Sequence, residues 1–545
     1  MGENNFDDIR NKVTTTPPPK KGKGLFIAIL AVGLVAVLGI AAFATGVIGG
    51  KATKNQRVAE ALISLAEGED NAFVSDWIGE KELSEEMLKG FTASGNLELV
   101  SLPGLEAQGI ALPKGIMLSF ETSSNSEAGT SRGKLGIGLM GSSLLNAEIY
   151  TDQSKMQVAV PALFDEIIAA DFSGDLNEKI KNAPLFKDMV TEEMLAEVGA
   201  IPQALAESQE LSDKIRAVAT GNLGVKDYPA LETALNKFRD SWTVEEAEAK
   251  TMTWNGTEGN FDGFHVTITK DSVITLLNDL KAFVTTDAKF KADFMDYLAK
   301  QMADSESITM EEAYTRLDEE MTEAINDLQA DESFKEAKFT VYMTKDNELV
   351  SFHTVNEMDE SKADFLVERY GGDFPNQNMK AVVTVEGGED SGTMTLESTG
   401  KTEGNVQNRD FTMKSGVAEE TMDLVMKTSI DKESGAFSGS IVTAVEMEGT
   451  TTDFTLEYKG KVEDVVKGKS ATYVLDELKV LTMDELQAEL KGELKYSTGA
   501  VTVAPLEGTE VDVFTATQED MEKVMNQIME NIGVLMQFMG GGLGF

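Results

Sequence analysis

Apolar residues recur at every second position through much of the chain from Ala337 onward. Phe339 and Val341 lead to a turn at Asp346-Asn347, and the chain returns through Leu349–Thr354. Met379, Ala381, Val383 and Val385 alternate, as do Met422, Leu424 and Met426, with Ile430 further along. Phe437, Gly439, Ile441, Thr443 and Val445 answer them across a turn at Glu433-Ser434-Gly435. Phe454, Leu456 and Tyr458 oppose Thr455, Glu457 and Lys459, and Ala471, Tyr473 and Leu475 follow. A period of two joined by short connections predicts antiparallel strands with one apolar and one wet face. The same period occurs earlier, in Ile116/Leu118/Phe120, Leu135/Ile137/Leu139 and Met156/Val158/Val160.

Between and around these stretches the period is helical. Val58, Ala61, Leu62 and Leu65 share one helical face, and short helices are expected through Trp77 and Leu88. Residues 162–241 read as helices punctuated at Ala183-Pro184 and Ile201-Pro202, because a residue before proline resists the helical region. A hairpin is predicted over Thr251–Thr269, with its turn around Gly256–Gly263. Helices with Val273, Leu276, Leu277, Leu280 and Phe283, then Phe290, Phe294, Leu298 and Met302, come next. Thr309-Met310-Glu311-Glu312 is a capping box. It opens a helix striped by Met310, Tyr314, Leu317, Met321, Ala324 and Leu328, expected to pack on a sheet. A last helix over about 517–539 carries Met521, Val524, Met525, Ile528, Ile532, Leu535 and Met539, and would cover the sheet's apolar face.

Near the start, Leu25–Ile48 contains no charged residue over twenty-four positions, enough apolar helix to cross a bilayer. Lys20, Lys21 and Lys23 precede it, with Arg10 and Lys12 behind them, against Lys51, Lys54 and Arg57 on the other side. The expected arrangement is a single-pass cell-membrane protein with a cytoplasmic tail, 1–24, and an extracytoplasmic C-terminal part. Ala42-Phe43-Ala44 leaves open a cleaved signal peptide, although the apolar run is longer than a usual signal core. The fold class expected is α+β: a large antiparallel, curved sheet covered on one face by helices and preceded by one transmembrane helix, 25–48. Residues 55–335 would form a mixed helix and strand module, and 336–545 a strand-rich module with a C-terminal helix.

Composition excludes several chemistries. With no cysteine there is no disulfide, thiolate nucleophile, iron–sulfur cluster, Cys-type zinc site or lipidated cysteine. His265 and His353 are the two histidines, too few for a multi-histidine zinc site. Outside residues 1–57 the chain holds 40 basic and 90 acidic residues, a formal charge of −50 that repels nucleic acid and attracts cationic partners. The 26 methionines suit adaptable apolar interiors.

Several short motifs match on paper and fail in context. Gly136–Gly141 fits GxGxxG but lies inside an alternating strand, where a dinucleotide fingerprint needs a strand before it and a helix after it. Gly129-Thr130-Ser131-Arg132-Gly133 fits GxSxG but joins two strands, so a hairpin loop is expected. Gly468-Lys469-Ser470 has Glu463 where a phosphate loop needs its first glycine, and Asp390-Ser391-Gly392 sits in a polar connection. The acidic loops Asn255–Gly263 and Asp431–Gly435 lack EF-hand spacing. Met525 and Met529, with Met521 and Met536, are expected as core. No catalytic, cofactor-binding or metal-binding residue is assigned, although 90 carboxylates leave a glycosidase-type pair open.

The succession of strands with helical cover resembles the half-barrel of LolA- and LppX-type envelope lipid carriers, although those carry a lipidated cysteine. It is also similar to membrane-anchored envelope proteins of Gram-positive-type bacteria. The one-sided sheet with its Met-rich helical cover leads to the expectation of a non-enzymatic role at the cell surface, binding a lipid, another apolar ligand or an envelope partner. The alternatives are an assembly protein meeting cationic envelope partners through its acidic surface, and a carboxylate-based cell-wall hydrolase.

Overall fold

The structure is a computed structural model that describes residues 52–543 except 65–76, 108–114, 187–190, 192–194, 196–224, 297–298, 300–307, 333, 359–360, 373–377, 388–390, 418–419 and 448–449. Its frame is one twenty-stranded sheet. The first strands are β1 (Gly90–Ser101), β2 (Ile116–Asn125), β3 (Thr130–Leu139), β4 (Ser142–Thr151), β5 (Lys155–Ala159) and β6 (Ile167–Asp171). The hairpin β7 (Thr243–Trp254) and β8 (Thr257–Thr269) follows a helical stretch. A long meander comes next: β9 (Glu336–Met343), β10 (Leu349–Met358), β11 (Ser361–Gly371), β12 (Asn378–Glu386), β13 (Gly392–Glu403) and β14 (Val406–Val417). It continues through β15 (Glu420–Asp431), β16 (Ala436–Met447), β17 (Thr450–Val466), β18 (Ser470–Thr482) and β19 (Glu485–Thr498), and β20 (Glu510–Asp512) is last.

The pairings run from β7 through β8, β9 and every strand to β19, then to β1, and on through β2 to β6. All are antiparallel except β20, which lies parallel to β6. Neighbours in space are therefore neighbours in sequence almost everywhere, which tight turns make possible. Met140 and Gly141 both have positive φ (53° and 79°), the two-residue turn whose twist matches the flanking strands. The long-range joint is β1 on β19, where Leu97 faces Gly492 and Leu99 faces Leu490.

The main core lies at the β7–β11 end. Phe264, Val266, Phe339, Val341, Phe352 and Val367 point from one sheet face into a cluster with α1 (Lys54–Ile63), which contributes Val58, Ala61 and Leu62. The cluster also takes Leu235 and Phe238 from α3 (Pro229–Asp240) and Leu276 from α4 (Lys270–Thr286); α2 (Glu80–Met87) sits elsewhere, by β1 and β19. Here the sheet curls around its apolar face. The turn after β7 meets the end of β11, with the Asn255 amide donating to the Tyr370 carbonyl at 2.8 Å. Arg369 is fully buried inside the curl, its guanidinium 5.1 Å from the Trp254 ring, donating to the Ser64 and Gly372 carbonyls.

Two helices depart from expectation. The capping box at Thr309 and Glu312 forms and opens α5 (Met310–Ala330), but that helix packs on α4 rather than on the sheet. The C-terminal α6 (Gln518–Leu543) does not cover the apolar face with its methionine stripe. It docks through Val524, through Gln527, which accepts from the Asp165 amide at 3.1 Å, and through Asn531, which donates to the Leu163 carbonyl at 3.0 Å. These positions share one helical face. Met525 and Met529 lie on another face and are exposed, so they are not core.

The expected fold class is therefore corrected. A sheet of twenty strands dominates, and helices cover its apolar face mainly at the β7–β11 end, while α2 sits by β1 and β19 and α6 docks beside the segment before β6. Among the described residues no helix is long and apolar enough to cross a membrane. The longest, α6, carries Glu519, Asp520, Glu522, Lys523 and Glu530. Leu25–Ile48 lies outside the described residues, as do Leu65, Ile201-Pro202, Leu298 and Met302. The single-pass transmembrane helix, and the cell-membrane localisation with an extracytoplasmic domain built on it, are corrected to what the described residues show, a twenty-stranded sheet with no membrane-crossing helix among them, and play no further part.

Candidate functional site

The face that makes the core at β7–β11 continues across the rest of the sheet. Val341 pairs with Phe352, Phe352 with Val367 and Val367 with Ala381, so each presents its side chain to the same side. From there Ala381, Leu396, Met413, Leu424, Thr443 and Phe454 stand directly opposite one another in β12 to β17. A parallel row holds Met379, Ser398, Phe411, Met426, Ile441, Leu456 and Val480. Beyond β18 the face passes through Leu97, Leu118 and Ile137 in one row and Leu494, Phe120 and Leu135 in the next.

This continuation is open. Among the described residues of β12–β16, none is buried. Leu135 is 68% exposed, Leu118 55%, Met394 42% and Phe454 42%. At about 4.8 Å per strand, the stretch from β12 to β19 and on through β1 to β4 spans roughly 50 Å, closed over at one end of β17 and β18, where Val462 and Ala471 are buried. Soluble proteins rarely leave contiguous apolar patches above a few hundred Å² uncovered, and larger ones mark binding surfaces. The opposite face is polar and carries cross-strand ion pairs such as Lys459–Glu477 at 3.1 Å and Lys491–Glu98 at 3.2 Å.

Glycines under large side chains keep the apolar face smooth. A methyl group at Gly95 would lie 2.7 Å from the Phe120 ring, and one at Gly439 would lie 2.4 Å from the Tyr458 hydroxyl oxygen. Both rings therefore lie along the sheet over a neighbouring strand. Phe437, Tyr458, Tyr473 and Tyr496 continue this paving, with ring centroids 5.9–6.4 Å apart.

The short motifs take no part. Gly136 and Gly138 are interior to β3, with Gly141 in the turn after it. The Ser131 hydroxyl bonds that of Thr151 across β3 and β4 at 2.7 Å, a cross-strand pair rather than a nucleophile. Gly468-Lys469 forms the turn between β17 and β18, Asp431–Gly435 the turn between β15 and β16, and Asp390 lies outside the described residues. The β7–β8 turn is shorter than expected, Asn255-Gly256 alone, with Thr257–Gly263 already in strand. His265 Nδ1 lies 3.0 Å from the Thr340 hydroxyl, and His353 Nε2 lies 3.1 Å from Asp364 on different strands. Among the described residues no three His, Asp or Glu side chains could hold a metal ion.

Several carboxylates have shifted proton affinity, in the direction opposite to a general acid. Hydrogen bonding from Arg132 holds Glu148 below the usual range, and the Ser173 hydroxyl does the same for Asp171. Lys523, at 2.5 Å, lowers Glu166, a carboxylate only 4% exposed where α6 docks. These groups hold structure together as anions.

Sequence reasoning missed one residue on the open face. Arg409 of β14 pairs with Gly400 on one side and Thr428 on the other, in register with the apolar positions. Its Nη1 donates to the Ser398 hydroxyl at 3.5 Å, and its buried Nε has no acceptor among the described residues. Burial lowers its proton affinity.

No family model matches the chain, and no curated protein does. Some solved structures overlap it weakly. OpdQ of Pseudomonas aeruginosa is 6% identical over 75% of this chain and 96% of its own, with a TM-score of 0.21. OccK3 (OpdO) of the same organism is 8% identical over 78% and 100%, at 0.17. OccAB4 of Acinetobacter baumannii is 7% identical over 75% and 97%, at 0.15. Scores this low establish no shared fold, and neither architecture nor function is carried over from them.

Proposed function

We propose that this protein binds the apolar chain of a lipid, or a comparable apolar ligand, along the open face of its sheet, without covalent chemistry. One observation carries this reading: the same apolar face that helices cover at β7–β11 runs open through β12–β16 and on to Phe454, Leu118 and Leu135, with burial on it confined to positions such as Val462 and Ala471 at one end of β17 and β18. Burying apolar surface yields about 25 cal/mol per Å², so a chain laid on two or three of these rows gains several kcal/mol. The smooth paving over Gly95 and Gly439 suits an extended, featureless partner better than a knobbed one.

Purified protein extracted with organic solvent is expected to release a long-chain lipid seen by mass spectrometry. Emptied protein is expected to take up a neutral apolar dye such as Nile red, with saturable fluorescence enhancement. An extract without lipid, together with no dye uptake by the folded protein, refutes the reading.

A further inference from the structure

We propose that the open face selects single-chain fatty carboxylates, with Arg409 as the contact for the head group; this rests on the apolar-chain reading above and specifies its ligand class. Arg409 is the one charged side chain at the interior positions of this face in β12–β16, among the described residues. No carboxylate of the described residues lies within ion-pair reach of it, in a chain whose formal charge is −45. A half-buried guanidinium without an anion gives up hydration and gains little in return. Yet the sheet makes room for it: a methyl group at Gly400 would sit 3.0 Å from its Cζ and 3.1 Å from its Nη2.

Its row differs from those beside it. Thr428 stands next to Arg409, then Gly439, and the Tyr458 hydroxyl reaches back over that glycine. One guanidinium and two hydroxyls thus border a single row, while the adjacent row is Phe411, Met426, Ile441 and Leu456. An anionic head on the first row with its chain along the second satisfies both. The guanidinium fork matches the two oxygens of a carboxylate. A single cation on so acidic a protein balances a monoanion and leaves a dianionic phosphate monoester under net repulsion.

The test measures affinity for a fluorescent dansyl-tagged long-chain carboxylate, its methyl ester and Nile red, using the full chain. The acid is expected to bind at least about tenfold more tightly than the ester. Arg409→Gln should abolish that preference and leave Nile red uptake unchanged, and Arg409→Lys should keep part of it. Thr428→Glu supplies a carboxylate beside Arg409 and should also abolish the preference, so the result does not hang on one variant; circular dichroism confirms the fold of each. If Nile red and ester bind but the acid shows no preference, or Arg409→Gln retains it, this assignment fails and the apolar-chain reading stands. Tighter binding of a lysophosphatidate than of the carboxylate overturns the head-group class. If no probe binds and the protein sediments as a dimer with its open face occupied by a second copy, both readings fall.

Discussion

Leu349→Ala is expected to cost about 2–5 kcal/mol of stability, whereas Leu135→Ala costs under about 0.5 kcal/mol. Leu349 opens β10 with no exposed surface and sits in the cluster of α1, α3 and α4. Truncating it removes apolar contacts and leaves a cavity that a close-packed site cannot fully close. Leu135 is also a sheet leucine on a regular strand, but it is 68% exposed. Little transfer energy is lost there, and no cavity forms. Denaturant titration of both variants measures the contrast. Equal losses would mean that the two ends of the apolar face are covered alike.

The second large effect concerns how the sheet is held together. Gly460→Val is expected to destabilise the protein by about 3 kcal/mol or more through overpacking. A Cβ at Gly460 would lie 2.0 Å from the Val474 carbonyl oxygen and 2.7 Å from the Phe437 ring. The first contact is backbone on the paired strand and cannot swing aside. The register already shifts here, between Lys459 and Gly460. Because β17 and β18 hold each other mainly through this ladder, the damage should appear as faster amide hydrogen exchange in both strands. Wild-type exchange rates in β17 and β18 would show that the close approach is not real.

Much of the sheet was legible from alternation. β12, β16 and β17 place Met379/Ala381, Ile441/Thr443 and Leu456/Tyr458 on one face, as a period of two requires. The adjacent β13 and β14 were missed, and the reason is chemical. Past Met394 and Leu396 the face positions of β13 become Ser398, Gly400 and Thr402, and β14 puts Gln407 and Arg409 there. The polar row proposed to hold a head group is the same feature that erases the apolar signal. β19 was missed for another reason: its Glu, Lys, Leu and Ala residues, ELQAELKGELKYST, are good helix formers, and pairing with β1 and β18 overrides that preference.

The helical cover was legible only in part. Periodicity correctly marked the buried side of α1, with Val58, Ala61 and Leu62. It could not say which apolar surface each stripe meets. α5 packs on α4 with Ala313 and Ile325 as its buried residues and Met310 of the expected stripe exposed, and Met525 and Met529 of α6 meet solvent while Val524, Gln527 and Asn531 hold that helix in place. The one-dimensional pattern found the hidden side of α1 but not that of α6, where three-dimensional closure leaves Met525 and Ile532 exposed and buries Val524.

Because the chain has no cysteine, single thiols can report on the sheet without background. Leu135→Cys, Leu118→Cys and Phe454→Cys should react with a small water-soluble maleimide about as fast as a free peptide thiol, and Leu349→Cys orders of magnitude more slowly. Saturating lipid should slow the first three and leave the fourth unchanged. If the three face positions react as slowly as Leu349→Cys in lipid-free protein, the face is covered and the account is wrong.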